Sequence, residues 1–356
     1  MTITPQLVLL GTGCADGTPS ITRPVLPEGQ PERGHCAAVY TALSSKSYLI
    51  DAGYDIVRSF LRYGGEFCRT EQQEQIVELE IGGIKAAAAD KSIVTIRSDL
   101  DGIILTHPHD DHIGGLPLFG KQVLRTRAGV MPVYMAQNND NAPHMQTLAY
   151  VQKNFGFAFG SFMQYDPKTG AQVSTKLEAV EIPGEGVYAL DGETPLRTIQ
   201  ARHGKENSRN TLLGLPGLVY ATDISHWTEV ETGFVESVAP TTVVLNLQCW
   251  KRPGEDTGDD NYPHMGLKQF LGAVEQISMH SPQTKLILSV HMQTAMHDME
   301  VQKMVNHFRP KFNIRGDLVI QVGTGGMHVD LNRGAVFAPQ VKSAASPVVP
   351  SSPFVP

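Results

Sequence analysis

The stretch LDGIILTHPHDDHIGGLP, residues 100–117, constrains the fold more than any other part of this 356-residue chain. An apolar run of strand composition leads directly into three histidines and two aspartates within six consecutive positions, and two glycines follow. Side chains two apart on an extended segment point the same way, so His107 and His109 can converge on one point. Pro108 stiffens the link between them. Asp111 and His112 come where the chain turns toward Gly114 and Gly115, and they can reach a neighbouring point. Imidazole nitrogens and carboxylate oxygens together suit zinc, manganese or iron. Four such ligands from one short turn point to two ions close together.

A solvated loop with chance histidines would have no counterparts elsewhere in the chain, and three appear. His203 ends TIQARH, Asp223 ends LVYATD and His291 ends LILSVH. Each is a ligand-type residue at the carboxyl end of an apolar strand, where open sheets hold their sites. The remaining pattern supplies the sheets. QLVLLGTG predicts a buried strand broken by glycines, CADGTPSITRPVLPEGQPERGHC a long loop, and AAVYTALSSKSYLIDAG a hairpin ending at Asp51-Ala52-Gly53. YDIVRSFLRYG has helical spacing. Residues 68–97 read as a helix, a glycine break and a second helix, an insertion packed on the outside. GLPLFGKQVLRTR and APHMQTLAYVQKNFG predict helices around the strand MPVYMAQ. EAVEIP, PLRTIQARHG, NTLLGLPGLVYATD, TTVVLNLQ and KLILSVHM predict strands, GLKQFLGAVEQIS and DMEVQKMVNHF helices, and DLVIQVGTGGMHVDL a closing hairpin. Many strands with interspersed helices imply sheets covered by helices. Residues 1–337 are expected to form one domain carrying the 68–97 insertion. The tail 338–356 is rich in Pro and Ser and cannot build a core alone.

Composition narrows the partners. Apolar residues make up 41% and charged residues 18%, enough for a large core. The net charge is −7 with no basic block, which sets nucleic acid aside as the default partner. No run approaches the length of a membrane span. Cys14, Cys36, Cys68 and Cys249 form no CxxC pair and are expected to be reduced thiols. The N-terminus lacks the features of a secretory signal, so the cytoplasm is the expected compartment.

THPHDDH resembles the HxHxDH signature of the metallo-β-lactamase superfamily. The downstream order of His, Asp and His is similar too, as are LLGTG, the LIDAG hairpin end and the closing GTGGMHVDL. The resemblance implies an α/β fold, a four-layer αββα sandwich with two divalent ions at one edge of the sheets. It implies that one ion takes His107, His109 and His203, and the other Asp111, His112 and His291. Asp223 then bridges the two and shares a water or hydroxide with them. Zinc is the expected metal, with manganese or iron as alternatives. Asp51 resembles the aspartate that orients ligands from beneath, against the plainer role of a turn aspartate before glycine. Adjacent dications make bridging water reactive, and Asp111 or Asp223 could take its proton. The reaction class is hydrolysis of a phosphodiester, ester, lactone, thioester or amide.

The signature speaks to the fold and little to the substrate. His264, in NYPHMGLKQF, falls between the bridging aspartate and the last histidine. In the phosphodiesterase branch of the superfamily a histidine in that interval faces the substrate. There it would bind phosphate or protonate the leaving alkoxide; the plainer role is a surface histidine at a helix start. The chain is most similar to cyclic phosphodiesterases of the carbon–phosphorus lyase pathway and to the pyrroloquinoline-quinone biosynthesis protein B type. The cysteine cluster that the former carry after GTG is missing, since CADGTPSITRP has Cys14 alone. DHIGGLPLF also resembles tRNA 3′-end-processing ribonucleases, whose basic, glycine-rich arm has no counterpart here. The expected function is a binuclear metal-dependent hydrolase acting on a small anionic phosphodiester, with His264, Asp111 and Asp223 as catalytic groups. The alternatives are lactone, thioester or ester hydrolysis, tRNA 3′-end cleavage, and iron-dependent oxidation in cofactor biosynthesis. A homodimer is implied by the superfamily. His35, His226 and His297 could line the pocket, against the plainer role of packed or surface histidines, and Tyr262, Trp227 and Trp250 flank its expected mouth.

Overall fold

Period-two alternation sorts the strand side chains into separate cores. In β1 (Gln6–Gly11), Leu7 and Leu9 enter one apolar cluster while Val8 and Leu10 enter another. The computed structural model describes residues 4–14, 34–64, 68–75, 78–81, 84–87, 91–98, 100–117, 129–136, 147–159, 162–165, 172–204, 209–248, 264–292 and 298–337. After β1 come β2 (Ala37–Thr41), β3 (Ser47–Ile50), α1 (Ile56–Tyr63), β4 (Cys68–Gln75), β5 (Glu78–Ile81), β6 (Ile84–Ala87) and β7 (Lys91–Ser98). Then follow β8 (Gly102–Leu105), α2 (Asp110–Ile113), β9 (Gly129–Ala136), α3 (Thr147–Phe155), β10 (Phe162–Tyr165), β11 (Gln172–Ile182) and β12 (Gly186–Leu190). The second half has β13 (Thr194–Arg202), β14 (Arg209–Leu215), β15 (Leu218–Ala221), α4 (Glu229–Val238), β16 (Thr242–Asn246) and α5 (Leu267–His280). It ends with β17 (Leu286–Val290), α6 (Asp298–Phe308), β18 (Val319–Val322), β19 (His328–Asp330) and β20 (Ala335–Phe337).

Two large sheets result. One has nine strands in the order β10-β11-β9-β8-β3-β2-β1-β19-β20, the other seven in the order β12 through β18. Between them lies a cluster that includes Leu7, Leu9, Tyr40, Ile104, Leu213, Tyr220, Val244 and Leu288. The outer face of the nine-stranded sheet packs on α1 and α3 through Ile56, Phe60 and Val151. The outer face of the other packs on α4, α5 and α6 through Phe234, Phe270, Val274 and Val301. That is the αββα sandwich expected from the motif. Strands β15 to β18 run parallel, and β15, β16 and β17 are buried along their whole length, so those three read as apolar runs rather than alternating ones.

Three expectations on the elements need correction. Residues 68–97 are not two helices: β4 pairs antiparallel with β7 and β5 with β6, and neither pair joins the large sheets. CRTEQQEQ offers no apolar stripe for a helix, while Ile93, Val94, Thr95 and Ile96 favour extended backbone. DLVIQVGTGGMHVDL is not a hairpin, because β18 pairs with β17 in one sheet and β19 with β1 in the other. NTLLGLPGLVYATD is two antiparallel strands, turned at Gly217 with φ +80°. The calls on loop residues 15–33, on the helix beyond Pro117, and on the tail 338–356 lie outside the described residues. No described helix is long and apolar enough to cross a membrane.

The strand ends carry the site. His107 and its neighbours follow β8, Asp51 follows β3, and His203, Asp223 and His291 follow β13, β15 and β17. The two sheets meet there through backbone bonds, from Thr211 N–H to the Thr106 carbonyl and from Met292 N–H to the Thr12 carbonyl. Two glycines permit the closest approach. Ala52 N–H donates to the His112 carbonyl at 2.5 Å and Gly115 N–H donates to the Ala52 carbonyl at 2.9 Å. A Cβ on Gly115 would stand 1.9 Å from the Gly53 carbonyl oxygen, and one on Gly53 2.2 Å from that of Asp111. The glycines of LIDAG and DHIGG therefore let two loops dock backbone to backbone.

Candidate metal centre

β8 delivers His107 fully buried, and Pro108 carries the chain out extended to His109, the residue before α2. The single turn of α2 then faces Asp111, His112 and Ile113 inward and leaves Asp110 exposed. Ile113 anchors the turn in the core beneath α1. Nδ1 of His109 lies 3.1 Å from Nε2 of His107 and 3.1 Å from Nε2 of His203. A tetrahedral ion with bonds of about 2.0–2.1 Å spaces its ligand atoms by about 3.3 Å, close to this triangle. A second triangle adjoins it: Oδ2 of Asp111 is 3.5 Å from Nε2 of His112 and 3.3 Å from Nε2 of His291. Asp223 stands between the triangles. Its Oδ2 lies 2.9 Å from His112 Nε2, and its Oδ1 lies 3.0 Å from His291 Nε2. It also groups with His107 and His112, and with His203 and His264, with all ligand atoms of each group within 4.8 Å.

These groups fit cations better than they fit one another. His112 Nε2 and Asp223 Oδ2 are 2.9 Å apart, yet both are buried without the alignment of a hydrogen bond. Atoms that crowd one point without pairing suit a shared ion. Every ion pair that Asp111 and Asp223 make among the described residues is to a histidine. The electrostatics agree. Burial opposes charge on His112, but Asp223, Asp51 and Asp111 outweigh it and hold the imidazole well above its ordinary range. His291 is likewise pushed up to about 9, with Asp223 and Asp111 overcoming burial. Burial, joined by the charge on His112, keeps His107 well below its ordinary value, and burial lowers His109, so both are held neutral, the form in which imidazole can bind a cation. Asp223 is held well below the usual carboxylate range because His291 and His112 overcome the effect of burial.

A layer beneath fixes the side chains of the cluster. Asp51, fully buried, accepts from Thr106 N–H at 2.9 Å and from the Thr106 hydroxyl, and its Oδ2 lies 2.8 Å from Nδ1 of His112. The Thr106 hydroxyl is in turn 3.0 Å from Nδ1 of His107. One carboxylate thus orients a histidine of each triangle. Asp51, Asp223 and His291 all adopt left-handed backbone, with φ of 61°, 54° and 59°. That conformation costs a non-glycine residue about 1–2 kcal/mol and persists only where surroundings impose it.

All eight residues named from the sequence for ligation or catalysis meet here. His264 precedes α5 as expected, and its Nδ1 is 3.1 Å from Asp223 Oδ1. Its ring lies 4.5 Å from that of His291 and 5.1 Å from that of His203. Of the eight, His109 and His264 keep partial exposure. His35 and His226 are not part of the cluster: His35 is bound to Asp55 at 2.7 Å, and His226 Nδ1 lies 3.1 Å from the Ser225 hydroxyl. Trp227 donates to Thr232, while Tyr262, Trp250 and His297 lie outside the described residues. Sequence reasoning passed over Thr106, whose only signal is its place before His107, and the asparagines beside Asp223, which left none.

An αββα sandwich with histidines and aspartates gathered at one edge of its sheets defines a metallo-β-lactamase fold. Residues 33–199 match the model of the metallo-beta-lactamase superfamily. A search of curated proteins finds no match. Among solved structures, a diphosphatase from the PhnP family superposes with a TM-score of 0.61 at 16% identity, covering 92% of this chain and 98% of that one. Zinc-bound PqqB from Methylobacterium extorquens gives 0.58 at 13%, with 91% and 99% covered. Unliganded yeast PDE1 gives 0.56 at 13%, with 92% and 99% covered.

Proposed function

We propose that this chain is a hydrolase of a small phosphodiester, cyclic or nucleotide-like, working with two divalent ions. The junction at Asp223 carries the reading. Two three-ligand groups meet there, and His264, a member of neither, stands against the same carboxylate from the partly exposed side. His107, His109 and His203 would hold one ion and Asp111, His112 and His291 the other, with Asp223 shared. The donor set suits zinc first, then manganese or iron. Ions so held supply Lewis acidity that offsets phosphate charge and makes water nucleophilic near neutral pH.

The chain's own groups do the rest. Asp51 and Thr106 keep His112 and His107 in their ligating orientation. Asp111 or Asp223 takes the proton given up as water oxygen bonds to phosphorus. His264 holds a phosphate oxygen or gives its proton to the leaving oxygen as the ester bond breaks. Burial, and next the charge on His291, lowers the proton affinity of His264. An anionic ester arriving beside it would raise that affinity again. A small anionic substrate suits an opening where His109 and His264 are the partly exposed members of the cluster. A diphosphatase among the structures that share the fold makes phosphate esters the first class to assay. A homodimer and a cytoplasmic setting complete the reading.

The test is metal analysis of the purified protein joined to assays on bis(p-nitrophenyl) phosphate, cyclic nucleotides, lactones and thioesters. Two ions per chain with phosphodiester turnover is the expected result. A protein that takes up no metal, or that opens lactones or thioesters and leaves phosphodiesters intact, overturns it.

A further inference from the structure

Asp223 is off its strand, and two buried side-chain amides hold the peptides on either side of it. The ladder between β15 and β16 ends with Ala221 opposite Leu245. Two residues later the left-handed turn at Asp223 takes the chain away from strand geometry, leaving buried peptide groups to be satisfied. Each such group left unmade costs about 1–3 kcal/mol. Asn246, the last residue of β16, answers for one side. Its Oδ1 accepts from Ile224 N–H at 3.1 Å and its Nδ2 donates to the Ile224 carbonyl at 3.2 Å. Asn210, on β14, answers for the other, its Nδ2 donating to the Thr222 carbonyl. Both asparagines are fully buried. The residue before Asp223 and the residue after it are therefore each gripped by an amide from a different neighbouring strand.

We propose that Asn246 is a positioning residue for Asp223, with Asn210 as its counter-clamp, and that this pair sets where the shared carboxylate stands between the two ligand triangles. The inference rests on the metal-centre reading above. A primary amide accepts and donates through two separate atoms, so it can grip the N–H and the carbonyl of the same residue at once. Aspartate at 246 keeps the acceptor and loses the donor; leucine loses both. If Asn246 merely satisfied backbone groups, its loss would lower stability and leave the ligand field unchanged. If it positions Asp223, the field itself moves.

The experiment uses the full chain with cobalt as the probe, since its visible absorption reports ligand geometry. Wild type, Asn246→Asp, Asn246→Leu and Thr284→Val are compared for cobalt affinity, visible spectrum and melting temperature. Thr284 is the control, a buried hydroxyl bonded to the Pro240 carbonyl at 2.9 Å and placed before β17, at the end opposite to His291. Both Asn246 variants are expected to bind cobalt roughly 10–100-fold more weakly, with altered band positions. Thr284→Val is expected to lose stability and keep wild-type affinity and spectrum. Asn246 variants that melt lower but match the wild-type affinity and bands overturn the inference. If Asn246→Leu does not fold, the near-isosteric Asn246→Asp decides. A wild type that takes up no cobalt removes the metal-centre reading and this inference with it, an outcome distinct from a normal wild type with unaltered variants.

Discussion

Asp51 Oδ2 lies 2.8 Å from Nδ1 of His112, and both side chains are completely buried. The contact settles which nitrogen of His112 faces the centre, because Nδ1 is committed to Asp51 and Nε2 is left for Asp111 and Asp223. Replacing Asp51 with Asn removes the charge that fixes this orientation. Binding at the Asp111, His112 and His291 triangle is expected to weaken by roughly 10–100-fold. Titration against a chromophoric chelator measures it. Affinity unchanged within twofold would mean that Asp51 is a turn residue and no more.

His264 touches Asp223 and belongs to neither triangle. Its loss should therefore slow turnover without emptying the centre. His264→Ala is expected to lower kcat on a phosphodiester by about 10²–10⁴-fold while metal content stays at the wild-type level. Metal analysis and steady-state kinetics on one preparation read both quantities. Loss of metal together with activity would make His264 a ligand instead.

Much of this centre is legible in the sequence for a definite reason. Asp223 and His291 stand out because each closes an apolar run, and buried strands with parallel partners write such runs plainly, while His203 closes the alternating antiparallel strand β13. His107 and His109 stand out because extended backbone puts alternate residues on one side. Asn246 and Asn210 do not, since their roles depend on which strands are neighbours, and neither register nor the left-handed turn at Asp223 is written locally. The chain from Asp317 to Leu331 misleads for a similar reason. Two apolar segments around a glycine cluster suggest a hairpin, yet β18 pairs with β17 in one sheet and β19 with β1, far earlier in the chain, in the other. In residues 68–98 the polar strand β4 shows no period of its own and takes its conformation from pairing with β7.

The docking of the LIDAG loop on the ligand turn predicts a sharp contrast between two glycines. Gly115→Ala forces a methyl against the Gly53 carbonyl, and backbone cannot yield as a flexible side chain can. Its cost is expected at about 1–3 kcal/mol or more. Gly272 lies inside α5 with nothing within 4 Å of an added Cβ. Gly272→Ala is expected to stabilise the protein by about 0.5–1 kcal/mol through helix propensity. Denaturant unfolding of both variants measures the difference. Equal effects would refute the close approach of the two loops.

Cys36 lies just before β2, buried, with its sulfur 3.3 Å from the Tyr220 hydroxyl. Burial is the main cause pushing its thiol up to about 12. An unfolded cysteine ionises near 8.5, so the folded protein favours the protonated thiol. A raised folded value contributes stability in full below the unfolded value, and that stability drains away as pH rises toward the folded one. Unfolding free energy in the presence of chelator is therefore expected to fall between about pH 8.5 and pH 10, before tyrosines begin to contribute. Its slope should be at most about 1.4 kcal/mol per pH unit from this group. Cys36→Ala carries a constant offset from the lost packing but should lack this slope. Folded wild type should also resist iodoacetamide at Cys36 at pH 8, and lose that resistance in guanidinium. Parallel pH curves for wild type and variant, or rapid labelling of the folded chain, would place the thiol in contact with water.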